Sequence, residues 1–233
     1  MLDVHPPHTP THTWRDFFIH IATIVIGLLI AIGLEQSVEF FHHRHQRNEL
    51  REGAAADARQ MLHDIDENRL AAKQQLEDLN ARIEQVQEAI ATHTKLAPPT
   101  YRPDLPTDAI RTANFEAAKQ SGLLQLLSKE DITIFEEAQV GVARAETLRQ
   151  LVNDRREKRI AFEQRFQRNH PDGPFDFSAA TPSQLDQYLA TLIDERVITE
   201  ENLRYLDLFH RGTSAYLGGQ RTVDSLRKAE VGH

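Results

Sequence analysis

The feature that most constrains this chain is an uninterrupted apolar stretch, residues 17–34 (FFIHIATIVIGLLIAIGL). It carries no formal charge, and only His20 and Thr23 are polar. As a helix rising about 1.5 Å per residue, it nearly covers the roughly 30 Å hydrocarbon core of a bilayer. Aromatic side chains, which favour the headgroup layer, flank it on both sides: Trp14, Phe17, Phe40 and Phe41. The stretch therefore predicts a membrane-spanning helix.

Three other interpretations fit the stretch less well. A core helix of a soluble protein normally keeps a polar stripe, and this one is apolar on all sides. A cleaved signal peptide is suggested by residues 31–33 (Ala-Ile-Gly), but Arg15 is the only basic residue ahead of the stretch, which also exceeds the usual length of roughly 7–15 residues. A helix lying flat on the bilayer needs a charged face. We therefore expect a single span.

Composition restricts the rest of the chain. The 233 residues allow one or two domains, and the mean hydropathy of −0.51 fits one span attached to a large water-soluble portion. A net charge of −8 argues against a nucleic-acid partner, because neutralising phosphates requires a basic face. The chain has no cysteine, which excludes disulfides, thiolate metal sites and cysteine nucleophiles.

A seven-residue repeat follows the apolar stretch. Between residues 35 and 93 there is no proline, and Gly53 is the only glycine. Apolar side chains recur at alternating spacings of three and four, with Arg69 as the one misfit: Leu62, Ile65, Ala72, Leu76, Leu79, Ile83, Val86 and Ile90. This seam predicts a coiled coil or a long bundle helix. The charged residues between these positions are expected to face solvent.

Further helix signals divide the second half of the chain. Residues 94–106 hold four prolines and predict a loop. A short helix is expected over residues 107–120, capped by Thr107 or Asp108 and ended by residues 121–122 (Ser-Gly). Ser128 should cap a long helix reaching about Asn169. Within that helix, the basic run 155–159 is interpreted as a solvated face, with contact to an acidic partner or lipid headgroups as the alternative.

A third long helical region is expected after residues 181–182, where Thr supplies an N-cap and Pro the first helical position. Thr199 is a candidate for a second cap after a small kink. Residues 218–219 (Gly-Gly) should loosen the end of the helix, and the last dozen residues are expected to fray.

These signals predict an all-α fold, because no stretch shows the alternation of strands. One N-terminal transmembrane helix continues into an elongated antiparallel helical bundle or coiled coil. The expected segments are a flexible tail (1–13), the transmembrane helix and juxtamembrane segment (14–43), a coiled-coil-like helix (44–94), a proline-rich loop (95–106) and the remaining bundle helices (107–228).

A histidine cluster just past the apolar stretch is the only suggestion of a metal site. Glu39 and His42 have the Glu-x-x-His spacing of di-iron bundles, and His43 and His45 lie close by. Such sites need the motif twice, and residues 207–210 (Asp-x-x-His) are a poor substitute. We therefore assign no metal and no other cofactor. The preferred interpretation is an interfacial cluster whose neighbouring arginines suit phospholipid headgroups.

Self-association is a second hypothesis. Gly27 and Ala31 form a small-x-x-x-small pair that would let two membrane helices approach closely. With the seam, the candidate self-association residues are Gly27, Ala31, Leu76, Leu79, Ile83, Val86 and Ile90. They would make a homodimer. The alternative is that the seam is filled by other helices of the same chain.

Part of the sequence resembles a group of uncharacterised bacterial single-pass membrane proteins. The resemblance rests on residues 26–31 (IGLLIA) of the anchor and on residues 114–127 (NFEAAKQSGLLQLL). It implies architecture only, because the group has no established activity. Proteins of similar layout are usually drawn with a short cytoplasmic tail and the bundle outside the cytoplasm. The positive-inside rule favours the opposite side, because Arg44, Arg47 and Arg51 outnumber Arg15. We lean towards a periplasmic bundle on a bacterial inner membrane.

No motif for nucleophilic catalysis or phosphate binding is present, so we expect no enzyme. The sequence favours a non-enzymatic, membrane-anchored helical protein that acts as an interaction, scaffold or sensor-like module. Its expected partners are the lipid bilayer, a second copy of the chain and an unidentified protein. The alternatives are a ligand- or metal-binding protein using the histidine cluster, and an accessory subunit of a larger membrane complex.

Overall fold

The computed structural model describes residues 14–103, 105, 107–167 and 175–231. In this part of the chain five α-helices account for most residues, and no strand occurs beyond one isolated bridge between Gln167 and Phe175. The helices are α1 (Trp14–Thr92), α2 (Ala113–Gln120), α3 (Lys129–Glu163), α4 (Pro182–Leu217) and α5 (Val223–Val231). The all-α prediction is confirmed. The predicted flexible tail, residues 1–13, lies outside the described residues.

The chain divides into two compact units, one ending at Glu49 and the other beginning at Leu50. In the first unit, α1 carries the apolar stretch, with a mean hydropathy of 2.6 over an 18-residue window and none of that window buried. The hydroxyls of Thr23 and Ser37 donate to the carbonyl oxygens of Ile19 and Gly33, four residues earlier. By length and composition, α1 can cross a membrane.

The second unit is a bundle in which the α1 seam packs against α3 and α4. One core cluster joins Leu79, Ile83 and Val86 of α1 to Phe162 of α3 and to residues 185–192 of α4. A second cluster contains Ala58, Met61, Ile65, Ile110, Ala145, Leu206 and Phe209. Burying a large aliphatic side chain contributes about 1.5–3 kcal/mol, so the sequence period fixes which face of α1 the bundle covers.

Helix α2 begins at Ala113, six residues after the predicted start at Thr107. The caps proposed at Thr107 and Asp108 are therefore wrong. The carboxylate of Asp57, on α1, accepts hydrogen bonds from the backbone N–H groups of Asn114 (3.2 Å) and Phe115 (3.0 Å). A side chain distant in sequence thus satisfies the first N–H groups of α2, which local sequence could not reveal.

The other helix ends match their signals in part. The Ser128 hydroxyl accepts from the N–H of Asp131, and Thr181 forms a reciprocal capping box with Gln184. Helix α3 ends at Glu163 rather than near Asn169, because the chain tightens into a 3₁₀ turn that packs Phe166 on Phe162. At the other predicted boundary, Gly122 adopts a φ of 72°, a conformation that favours glycine.

Two predictions about the C-terminal part are wrong. Helix α4 passes through Thr199 without a second cap, because the buried Thr199 hydroxyl donates to the carbonyl of Glu195 instead. Residues 223–231 do not fray. They form α5, which packs on α4 and α3 and is joined to α3 by an ion pair between Arg227 and Glu137 (2.6 Å).

Candidate functional site

A buried ionic network lies at the centre of the second unit. The Arg159 guanidinium donates through Nε to Glu195 (2.7 Å) and through Nη1 to Glu163 (3.1 and 3.2 Å). Glu195 also accepts from the Gln75 amide of α1 at 2.8 Å. All three charged residues are buried, and Glu195 is 0% exposed. The network therefore links α1, α3 and α4 inside the core.

Two tyrosines complete the network around Glu163. The hydroxyls of Tyr188 and Tyr101 donate to Glu163 Oε1 at 2.5 and 2.6 Å. Burial, reinforced by the Glu163 charge, raises the pKa of Tyr188 to about 12, and burial also raises the pKa of Tyr101. Burial alone would lower the pKa of Arg159, but the charges of Glu195, Tyr101 and Glu163 outweigh it and raise that pKa. The phenols stay protonated donors and the guanidinium stays charged.

A second arginine reaches the network from α1. Arg82 donates through Nε to the Tyr188 hydroxyl (3.2 Å) and through Nη1 to the carbonyl oxygen of Ala97 (2.8 Å). Its guanidinium also lies over the rings of Phe177 and Tyr188, at 5.2 and 5.4 Å from their centroids. The proline-rich loop is thereby held against α1 and α4.

The network corrects two interpretations made from sequence. The basic run 155–159 is not simply a solvated face, because Arg159 is buried and Arg155 pairs with Asp194 of α4 (2.9 Å). Its acidic partners belong to the same chain. The polar positions of α1 are not all solvated either, because four of them are buried: Asp57, Asp64, Asn68 and Arg82.

A cavity of about 380 Å³ adjoins the network between α1, α3, α4 and the loop after α1. Three asparagine side chains line it: Asn68 from α1, Asn153 from α3 and Asn202 from α4. Asn68 donates to the carbonyl oxygen of Asp108 (2.9 Å), but its own Oδ1 is buried and has no hydrogen-bond partner among the described residues. The cavity volume is within the range of small-molecule sites, roughly 300–1,000 Å³.

A second cavity of about 310 Å³ lies under α5. Its lining is mainly apolar and includes Phe115, Phe135 and Phe209. Glu230 of α5 reaches it, and burial raises the pKa of that carboxyl, with help from the nearby Glu137 charge.

The histidine cluster lies on α1 in the first unit. Glu39, His42 and His45 are exposed and His43 is half-buried, and the rings of His42 and His43 lie 6.3 Å apart. His45 pairs with Glu49 at 3.2 Å. Across the described ranges 14–103, 105, 107–167 and 175–231, no three His, Asp or Glu side chains are arranged to hold a metal ion. The structure does not assemble these residues into a ligand set.

The candidate self-association residues fall into two groups. Gly27 and Ala31 are exposed, and a Cβ added at Gly27 would meet no atom within 4 Å. The seam residues Leu79, Ile83 and Val86 are instead buried in the chain's own core, while Leu76 and Ile90 are half-buried. Most of the seam is therefore packed within one chain, and among the candidate self-association residues Gly27 and Ala31 are the exposed pair.

No protein-family model, curated protein or solved structure matches this chain. Function must therefore be argued from the residues and their geometry. The network and the asparagine-lined cavity were missed from sequence, since Arg159, Glu163, Glu195 and Asn202 follow no motif. One signal was available. Leu148, Val152 and Arg159 lie on the same face of α3, so Arg159 occupies a position where the helical period predicts a buried apolar residue.

Proposed function

We propose that the chain is a non-enzymatic, single-pass protein of a bacterial inner membrane whose helical bundle acts as a sensor-like interaction module. The observation that carries this proposal is the continuity of α1 from Trp14 to Thr92. One unbroken helix holds both the exposed apolar stretch and the seam on which the bundle core is built. The apolar stretch and the seam thus belong to one helix, Trp14–Thr92.

The exposed apolar stretch supports the membrane assignment. Side chains such as Ile24, Leu28 and Leu29 are at least 60% exposed, and their neighbours along residues 17–34 are apolar on every side. Exposing a contiguous apolar surface of this kind to water is unfavourable, so another apolar phase or a partner must shield it from water. A bilayer supplies that cover around the whole circumference of the helix, whereas a single protein partner covers only one face.

The buried network supports a defined, ordered module rather than a passive spacer. A coiled-coil spacer needs only its seam, but here paired buried charges connect α1, α3 and α4, and a cavity lies beside them. We place the bundle in the periplasm, on the basis of the layout of the proteins that the sequence resembles.

Membrane extraction tests the anchor. The full chain should remain in the pellet after alkaline carbonate treatment of membranes. The double variant Ile24→Arg/Leu28→Arg should be released, since each arginine costs roughly 2.5–3.5 kcal/mol at the centre of a span. The control is Leu70→Arg/Val140→Arg, which places the same charges at exposed apolar positions of the bundle and should stay in the pellet. Carbonate release of the unmodified chain would contradict the proposal.

The alternatives from sequence have their own tests. Metal analysis of the detergent-purified chain should find no stoichiometric metal. A metal that disappears in His42→Ala/His43→Ala would favour the metal-binding alternative. An accessory subunit would instead co-purify with a stoichiometric partner in mild detergent.

A further inference from the structure

The cavity beside the buried network contains hydrogen-bonding groups that the protein does not satisfy. Asn68 is 6% exposed, and its Oδ1 has no partner among the described residues. Asn202 is 8% exposed and lines the same cavity, and none of the described hydrogen bonds involves its side chain. Buried polar groups in folded proteins are normally paired, so the Asn202 amide, which lines the cavity and takes part in no described hydrogen bond, points to a ligand.

The charged groups around the cavity are largely committed to one another. Four arginines and four acidic residues line it, so their formal charges cancel. Arg149 donates to both carboxylate oxygens of Glu146 at 2.7 and 2.8 Å. Arg159 is held by Glu163 and Glu195, as described above. A charged ligand would enter a lining whose charges balance already, and would lose hydration without gaining a counter-charge.

We propose that this cavity binds a neutral, polyhydroxylated small molecule of the size of a monosaccharide or cyclitol. A hydroxyl both donates and accepts, so a polyol can donate to Asn202 Oδ1 and accept from an amide N–H of Asn202 or Asn153. Apolar residues beside the asparagines, including Ala72, Ile110 and Leu206, provide surface for the C–H groups of such a ligand. This inference rests on the proposed sensor-like role and gives it a ligand class.

Thermal unfolding of the full chain in a polyoxyethylene detergent tests the inference, because that detergent has no sugar headgroup. The probes are D-glucose, D-galactose, D-ribose and myo-inositol, with D-glucuronate and D-glucosamine as charged counterparts. Binding to the folded state alone raises Tm as ligand concentration increases. At least one neutral probe should raise Tm in a saturable way, and the charged counterparts should bind at least tenfold more weakly.

Variants locate the binding. Asn202→Leu replaces the amide by an apolar side chain of similar size and should abolish the shift in Tm. Asn80→Leu makes the same change at an exposed position of α1 and should leave the shift unchanged. Asn153→Leu, at a half-buried position of the same cavity, serves as the second variant in case Asn202→Leu does not fold.

Each other outcome would overturn the inference. If no neutral probe raises Tm, the cavity holds solvent only. A larger shift with a charged probe would show that the ligand class is wrong. A shift that survives in the cavity variants would place binding elsewhere. None of these results alters membrane extraction, so failure of the ligand inference is distinguishable from failure of the membrane anchor.

Discussion

Replacing Glu195 by glutamine should destabilise the bundle more than any other single removal of a charge on α4. Glu195 is fully buried and accepts from Arg159 and Gln75. Glu195→Gln keeps the shape of the side chain but leaves Arg159 with Glu163 as its one anionic partner. Breaking a buried ion pair costs about 3–5 kcal/mol, and because Glu163 remains we expect about 3 kcal/mol. For a bundle of this size, that lowers Tm by roughly 6–12 °C.

The assay is thermal unfolding of the detergent-solubilised chain, followed by circular dichroism. The matched control is Glu201→Gln, on the same helix. Glu201 pairs with Arg204 at 3.2 Å, but their side chains are 42% and 72% exposed. Exposed pairs contribute about 0–1 kcal/mol, so the control should shift Tm by no more than about 4 °C.

A double-mutant cycle separates the ion pair from general damage to the core. Arg159→Met and Glu195→Leu should each destabilise strongly, because each removes one member of the buried Arg159–Glu195 ion pair. The double variant should destabilise by less than the sum, because Glu163 still accepts from Tyr101 and Tyr188. The coupling should be about 2 kcal/mol. Equal effects of Glu195→Gln and Glu201→Gln, or strict additivity in the cycle, would refute the argument.

Three further predictions concern other parts of the chain. Gly141→Ala should lower the unfolding free energy by about 1 kcal/mol, because the added Cβ would lie 2.8 Å from Phe209 Cε2. This clash should outweigh the higher helix propensity of alanine. An unchanged or higher Tm would contradict the prediction. Gly27→Ile should abolish self-association, measured by crosslinking in membranes, because the larger side chain keeps two helices apart. The control Gly33→Ile changes a different face of the helix and should leave the dimer intact. Dimers that persist in Gly27→Ile would exclude the Gly27 and Ala31 surface. Burial raises the folded-state pKa of Glu230 above its ordinary 4.5, so ionisation of Glu230 opposes folding as pH rises above that value. Glu230→Gln should therefore gain Tm relative to the unmodified chain as pH rises above 4.5, and a difference independent of pH would be inconsistent with the raised pKa.

The elements of the fold were predictable because they depend on local patterns. The apolar stretch, the seam of α1 and the caps at Ser128 and Thr181 act over a few residues, and the structure retains each of them. The Ser121-Gly122 stop was predictable for the same reason, since few residues other than glycine adopt a φ of 72°.

The errors arise where a distant residue decides the outcome. The start of α2 depends on Asp57, which is 57 residues away from Asn114 along the chain. The burial of Arg159 depends on Glu195, which is 36 residues away. A charged residue is normally solvated, and only its spatial neighbours show that it is paired instead. Helix α5 was missed because nine residues form a stable helix only through tertiary contacts.

The cavity could not be predicted from sequence, because residues from distant parts of the chain form it. Asn68, Asn153 and Asn202 come from three helices, and no sequence spacing brings them together. The histidine cluster shows the opposite case. Its residues are close in sequence, but among the described residues no three His, Asp or Glu side chains lie close enough together to bind one metal ion.

Paired cysteine labelling in intact cells tests most directly whether residues 17–34 cross the membrane. The chain has no native cysteine, so Ala97→Cys reports on the exposed loop after α1, and Thr11→Cys reports on the segment ahead of the stretch. An impermeant maleimide should label Ala97→Cys in intact cells and should label Thr11→Cys only after lysis. The reverse pattern would keep the span and place the bundle in the cytoplasm. Labelling of both positions, or protection of both, would contradict a membrane-spanning α1.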